Sequence, residues 1–359
     1  MNTFRTAAVG LTAAITGGAL LLTGCASTTR ASVAAGAGSS SAPASGAPSS
    51  PPSASSPSSA PSPSAPSPSA STGSSSGAAP GGAPAVPVRN GTAGNRLTIS
   101  NGTTKVVMNG TVVDFGTVVR DLAWSPDGSR AAFIDGAGNL DTANADGSGR
   151  VMVARAPSGE NWSHPVWRVA APDSSVGSPG VDEILFAASQ GGKTVLKQVA
   201  PAGGAPELLT IPLTDDFGPG GNPLPQTGNT WPTTGGRAGT VLYANGGTGD
   251  VYIRDDNIRT AAAKLTIGSE PAISADGGTA VFVRSVNGHD HLFEESVQGN
   301  RVARDITPNA TTDYTEPTWS PDGRTIAART PAGIATLPAD GSAAPTLVSS
   351  AAGLPAYRG

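Results

Sequence analysis

Leu122-Ala-Trp-Ser-Pro-Asp-Gly-Ser-Arg-Ala-Ala-Phe133 is the stretch that decides the fold. It returns as Ala272-Ile-Ser-Ala-Asp-Gly-Gly-Thr-Ala-Val-Phe282 and as Thr318-Trp-Ser-Pro-Asp-Gly-Arg-Thr-Ile-Ala-Ala328. Each copy reads as a short strand, a polar turn and an apolar strand coming back. Proline sets φ at the first corner, Asp hydrogen-bonds nearby backbone, and Gly takes the positive φ that closes a hairpin. Two looser copies lie between them: Pro165-Val-Trp-Arg-Val returning as Glu183-Ile-Leu-Phe-Ala-Ala188, and Thr230-Trp-Pro-Thr-Thr-Gly-Gly236 returning as Thr240-Val-Leu-Tyr-Ala244. With Trp124, Trp167, Trp231, Ile273 and Trp319 taken as equivalent, the intervals are 43, 64, 42 and 46 residues.

A period in the low forties, with two further strands after each hairpin, is the spacing of a four-stranded propeller blade. Those further strands are visible, as in Gly138-Asn-Leu-Asp-Thr-Ala-Asn-Ala-Asp-Gly147 followed by Val151-Met-Val-Ala154. Glycine is frequent, apolar runs are short and turn dipeptides recur every eight to twelve residues, so the expectation is an all-β chain. Five blades are counted from 121 onward. Residues 97–114 supply three more strands (LTIS, TKVVM, TVVD), and the tail Leu354–Tyr357 is placed to complete a sixth. Six blades, with five as the alternative, closed by the two chain ends, is the predicted architecture over 95–359.

The repeated Trp-Ser-Pro-Asp-Gly, the apolar return strand and the later Ala-Asp-Gly turn resemble the blades of the TolB-like, WD-repeat-like propeller family. The resemblance covers about 120–350 and implies a role in envelope complexes through protein contacts. The amino-terminal domain of TolB has no counterpart here.

Residues 26–94 are almost wholly Ala, Ser, Pro, Gly and Thr, and their only charges are Arg30 and Arg89. Such a segment buries too little apolar surface to offset its backbone entropy, so a disordered, polyproline-rich linker is expected. At about 5–6 Å per square root of residue it would span about 45 Å as a coil, and roughly 200 Å if extended. Before it, Arg5 precedes the uncharged run at 7–22 (AAVGLTAAITGGALLL), which suits a signal-peptide core and is short of the ~20 residues that span a bilayer. The run ends in Leu22-Thr23-Gly24-Cys25, which resembles the lipobox of bacterial lipoproteins. That resemblance implies cleavage after residue 24, acylation of Cys25, and a lipid anchor in the cell membrane with the folded part on its extracytoplasmic face. Cys25 is the sole cysteine, so the propeller must hold itself together without a disulfide.

The net charge of −4 offers no basic surplus for nucleic acid. There is no phosphate loop, no dinucleotide fingerprint and no thiol nucleophile. The Gly-x-Ser-x-Gly match at Gly73–Gly77 lies inside the linker. His289 and His291 in Gly-His-Asp-His-Leu are the metal candidates; without a third ligand at suitable spacing they read as a solvated loop entering a blade's third strand. Trp124 and Trp319 read as packing residues between blades. Trp162 and Trp231, near insertions, and Asp215 and Asp216, inside one, are the candidate binding residues. No catalytic set and no cofactor is expected. The expected function is a monomeric, membrane-anchored platform that binds an envelope protein or glycan through the ring's central face and the loops 172–180 and 214–229. The alternative is a propeller-fold glycan lyase or hydrolase.

Overall fold

The structure, a computed structural model, describes residues 89–175, 179–215, 221–256 and 259–359. Residues 1–88, on which the signal-peptide, Cys25 and linker expectations fall, lie outside the described residues, as does Asp216. The described part is all-β: six four-stranded antiparallel sheets arranged as the blades of a propeller. Blades 2 to 6 are consecutive in sequence, over 120–154, 161–208, 229–267, 269–305 and 315–349. Blade 1 takes three strands from 97–114 and its innermost strand from Leu354–Tyr357, paired from Leu97↔Tyr357 to Ser100↔Leu354. The ring therefore closes by joining the chain's carboxy-terminal strand to its first blade, as the sequence predicts.

Each blade places its second strand between two neighbouring blades, and the sequence follows. Ala131 to Ile134, Ile184 to Ala188 and Ala280 to Val283 are continuous apolar runs, not alternating ones, because both faces are covered. The core is accordingly a set of seams. Phe133 and Leu122 of blade 2 meet Val106 and Met108 of blade 1. Trp162 and Phe186 of blade 3 meet Ile134 and Leu140 of blade 2. Tyr243 of blade 4 meets Leu185 of blade 3, and Phe282 of blade 5 meets Leu242 of blade 4. Ile326 of blade 6 meets Val281 of blade 5, and Leu97 of blade 1 meets Ile334 of blade 6. Packing at every blade boundary holds the ring together without a disulfide.

The repeated turn is built alike three times. In blade 2 the Ser125 hydroxyl donates to Asp127 (2.5 Å) and accepts from Arg130 N–H (3.0 Å), while Gly128, at φ 66°, donates its N–H to Ser125 O (2.8 Å). Ser274-Asp276-Thr279 and Ser320-Asp322-Thr325 repeat the arrangement. The Ser125 hydroxyl and the Ser129 N–H hold the Asp127 carboxyl at a pKa of about 2.

Three sequence expectations are corrected. The fourth-blade equivalent of Trp124 is Thr234, because Thr234↔Val241 matches Trp124↔Ala131 in register, whereas Trp231 lies three residues earlier. The gapped Trp motif made that slip. The insertions do not share a surface. The one at 171–180 joins the inner and second strands of blade 3, at the end of the ring that carries the Ser-Pro-Asp-Gly turns. The one at 209–228 joins blade 3 to blade 4 at the opposite end. Finally, the segment at 89–92, placed in the linker on composition, is strapped along the outer strand of blade 6: Asn90 bridges Ser349, and Gly91 N–H donates to Val348 O (2.9 Å).

One buried carboxylate gives a pH-dependent prediction. Asp141 is 2% exposed and its Oδ1 has no hydrogen-bond partner. Burial, then repulsion from Asp135, push its pKa up to about 6, against the attraction of Arg150 at 3.6 Å. A folded-state pKa above the unfolded one means the native state binds the proton more tightly. Stability is then fully present below the unfolded pKa and lost as pH rises through the folded value. Asp141→Asn is expected to raise stability by about 2 kcal/mol at pH 7.5 and to change little near pH 3.5, read by urea melts at both values.

Candidate functional site

The six inner strands all run in the same direction around the ring axis: Leu354–Tyr357, Arg120–Trp124, Asn161–Ala170, Asn229–Gly235, Ser269–Ile273 and Thr315–Trp319. In the five that are not closed by the tail, the pairing register shifts at the same place. One residue at each shift has a left-handed backbone, with φ between 48° and 54°: Asp121, His164, Trp231, Glu270 and Glu316. Leu354 stands at the sixth position. Four of the five precede a proline, as does Leu354, so the next residue cannot donate to the ladder. The bulge turns each of these side chains towards the axis. A left-handed non-glycine residue costs roughly 1–3 kcal/mol and such residues cluster at functional sites; here five sit in one ring.

They line a chamber of about 130 Å³ at the bulge end of the axial channel, together with the prolines that follow them. Past a ring of small side chains (Ala123, Val166, Thr233, Ala272, Thr318 and Ala356) the channel widens into a bowl of about 370 Å³ at the turn end, walled by Trp124, Trp167, Trp319 and Tyr357. The three tryptophans there are anchored by their indole N–H groups to the preceding blade. Trp124 donates to Thr98 Oγ1 (3.0 Å), Trp167 to Ala123 O (3.3 Å) and Trp319 to Ala272 O (3.1 Å). Packing between blades is their role, as the sequence repeat implies.

The chamber concentrates charge. Asp121 Oδ2 accepts the backbone N–H of His164 in the next blade (3.1 Å), and Glu270 Oε2 accepts that of Glu316 (2.6 Å). Glu316 Oε1 accepts from Arg329 (3.0 Å), while its Oε2 is buried without a partner. His164 packs on Trp231 with ring centroids 3.6 Å apart, and its Nδ1 is also buried and unpartnered. Burial pushes both glutamates above their ordinary pKa, with Asp290 adding to the shift at Glu270, and with Glu270 and Asp121 adding to it at Glu316. Burial pushes His164 down, so it is held neutral, against the pull of Asp121. The arrangement brings together a neutral imidazole, three carboxyls and an indole on one axis, which suits recognition of a polar group or proton transfer.

Of the residues singled out from sequence, only Trp231 is in this chamber. Trp162 is 2% exposed in the seam between blades 2 and 3, tilted against Phe186 with its indole N–H on Glu160 (2.7 Å), so it packs the core and is no surface aromatic. Asp215 lies in the long connection, where its carboxylate takes the backbone and side-chain N–H groups of Asn222 (both 2.8 Å). His289 and His291 lie within the strand His289–Ser296, not in a loop, and each has its own carboxylate: His289 with Asp313 at 3.2 Å and His291, 4% exposed, with Asp305 at 2.8 Å. Neither is among the residues that line the chamber. Among the described residues no three His, Cys, Asp or Glu side chains are grouped closely enough to hold a metal ion, and no helix is long and apolar enough to cross a membrane. Sequence reading passed over Asp121, Glu270 and Glu316 and took His164 as structural. The available signal was the residue before proline, present in five of the six inner strands.

No protein-family model and no curated protein matches the chain. Solved structures do. A protein described as a TolB from Agrobacterium tumefaciens is 20% identical over 69% of this chain and 86% of its own, with a TM-score of 0.49. A gluconolactonase from Xanthomonas campestris is 11% identical over 66% of this chain and 79% of its own, with a TM-score of 0.45. TolB from Acinetobacter baumannii is 16% identical, with a TM-score of 0.50, over 73% of this chain and 65% of that one. The chain thus spans just under two thirds of that TolB, and what the two share is the β-propeller fold.

Proposed function

We propose that the chain is a lipid-anchored, extracytoplasmic binding protein: acylated Cys25 holds the membrane, the Pro/Ser/Ala linker spans the envelope, and the propeller receives a protein partner at its axial chamber. The observation that carries the reading is the convergence of Asp121, His164, Trp231, Glu270 and Glu316, from five different blades, on one 130 Å³ chamber. A rigid ring that strains its backbone at five equivalent points to aim polar side chains at the axis is organised for a ligand there. The propeller fold shared with TolB favours a protein over a glycan as that ligand, by analogy of fold. The acidic balance of the chain fits neither nucleic acid nor an anionic surface.

The test is chemical crosslinking in the envelope followed by capture of the chain. A specific protein is expected with the wild type, and Cys25→Ala is expected to move the chain from the membrane to the soluble fraction and to deplete that protein. A capture that yields no specific protein would leave a passive spacer.

The same ring favours a second reading, an envelope enzyme that uses His164 and a carboxyl of raised pKa as acid and base. Turnover of envelope polysaccharides that is abolished by His164→Ala and by Glu316→Gln would establish it over the binding role.

A further inference from the structure

Most polar atoms of the axial chamber are spent on the protein itself. Asp121 and Glu270 each tie down the N–H of the next blade's bulge residue, and Glu316 Oε1 takes the guanidinium of Arg329. Glu316 breaks the pattern with its other oxygen, since Oε2 is shut off from solvent and unpartnered, although the side chain as a whole is 15% exposed. His164 Nδ1 is left over in the same way. An ionised carboxylate only accepts hydrogen bonds, and a neutral imidazole always has one bare nitrogen. What these two atoms lack is a partner, and for an ionised Glu316 Oε2 that partner must be a donor.

Charge and shape narrow the donor further. Three carboxyl groups face one guanidinium, so the chamber favours a cation. A bare metal ion is a poor fit, because no three ligating side chains are grouped for one among the described residues. The Trp231 indole, packed at a tilt against His164, gives the chamber an aromatic wall suited to methylenes and to a cation against its face. A compact ammonium carries three donors on an apolar stem and fits a 130 Å³ space.

We propose that the bulge-end chamber is a receptor for an aliphatic ammonium group, the side chain of a lysine on the partner protein. This names the ligand chemistry of the axial site and rests on that site being where the partner binds.

The probe is n-butylammonium, which copies the lysine side chain, added to the full chain while the indole N–H signal of Trp231 is followed by NMR and assigned with Trp231→Phe. Sodium butyrate, n-butanol and calcium chloride are titrated in parallel. A saturable shift is expected with butylammonium alone, at least tenfold weaker in Glu316→Gln that melts like the wild type. An equal shift with butanol or calcium, or a natively melting Glu316→Gln that titrates like wild type, overturns the proposal. Should Glu316→Gln fail to fold, the four-probe comparison on the wild type decides alone. Saturating butylammonium is also expected to release the captured partner. A partner that stays bound overturns the lysine assignment and leaves the binding role standing; a chain that captures nothing overturns the binding role, while the titration still judges the chamber.

Discussion

A chain that stops at Gly353 is expected to lose its cooperative fold. The deleted tail is the innermost strand of blade 1, and its partner strand Leu97–Ser100 would be left with an open inner edge. Ala356 would leave the seam that holds Phe133 and Trp124. Arg358, whose guanidinium donates to Gly128 O at 2.6 Å and lies 5.3 Å from the Trp124 ring centre, would no longer clamp the first Ser-Pro-Asp-Gly turn. Each buried backbone group left unpaired costs about 1–3 kcal/mol, so the total is on the order of 5 kcal/mol or more, against about 5–15 kcal/mol for a whole domain. Near-UV circular dichroism and urea melts measure it; a midpoint equal to that of the full chain would refute closure by the tail. The converse variant is constructive. Joining Gly359 to Arg96 by a short loop and opening the chain at Gly116 makes blade 1 contiguous, because Tyr357 already opposes Leu97. That permutant is expected to fold cooperatively, short of wild-type stability only by the loss of the 89–92 strap on blade 6.

The second large effect is expected at Asp256, on the boundary of blades 3 and 4. Its carboxylate bonds both Arg168 and Arg254, whose side chains are only 5% and 7% exposed. Arg168 also reaches Glu183 (2.8 Å) and Gly239 O (2.8 Å), whereas Arg254 has Thr210 O (2.8 Å) besides. Burial works to raise the Asp256 pKa, but the Thr260 hydroxyl and the two guanidinium groups win and hold it below the ordinary value. Asp256→Ala leaves Arg254 only the Thr210 carbonyl among its hydrogen-bond partners in the described residues and weakens the hold on Arg168. Removing one partner of a buried ionic network costs about 3–5 kcal/mol, so a denaturation midpoint shifted by that amount is expected. Asp256→Asn keeps an acceptor of the same shape and is expected to lose less. A change under about 1 kcal/mol in the alanine variant would mean that Glu183 and solvent carry the arginines.

The fold was legible because its determinants are local. Ser-x-Asp-Gly closes a hairpin through side chains two to five residues apart, and the apolar return strands announce that both faces are covered. Even the closure by Leu354–Tyr357 follows from counting strands. The axial site was illegible for the opposite reason. Asp121, His164, Trp231, Glu270 and Glu316 follow one another at intervals of 39 to 67 residues and become neighbours only through the ring's near-sixfold symmetry. Each also has a left-handed backbone before a residue that interrupts pairing, which local propensity does not favour. Trp231 shows how the two failures combine. Matched to Trp124 as a packing tryptophan it seemed to lie at an insertion, yet a shift of three residues puts it on the axis and gives the packing position to Thr234. His289 and His291, read as a solvated loop, lie in a strand and attend to separate carboxylates.

The claim that the axial chamber is where this protein meets its partner is tested most directly by capture from crosslinked envelopes with three chains. These are the wild type, Trp231→Ala with Glu316→Gln, and Arg237→Ala, whose side chain is 92% exposed at the turn-end rim. The account predicts that the wild type and Arg237→Ala recover the same protein and that the axial double variant, folded by its melting curve, does not. Recovery of that protein by the folded axial variant, with loss in Arg237→Ala, would contradict it and move the binding site to the rim.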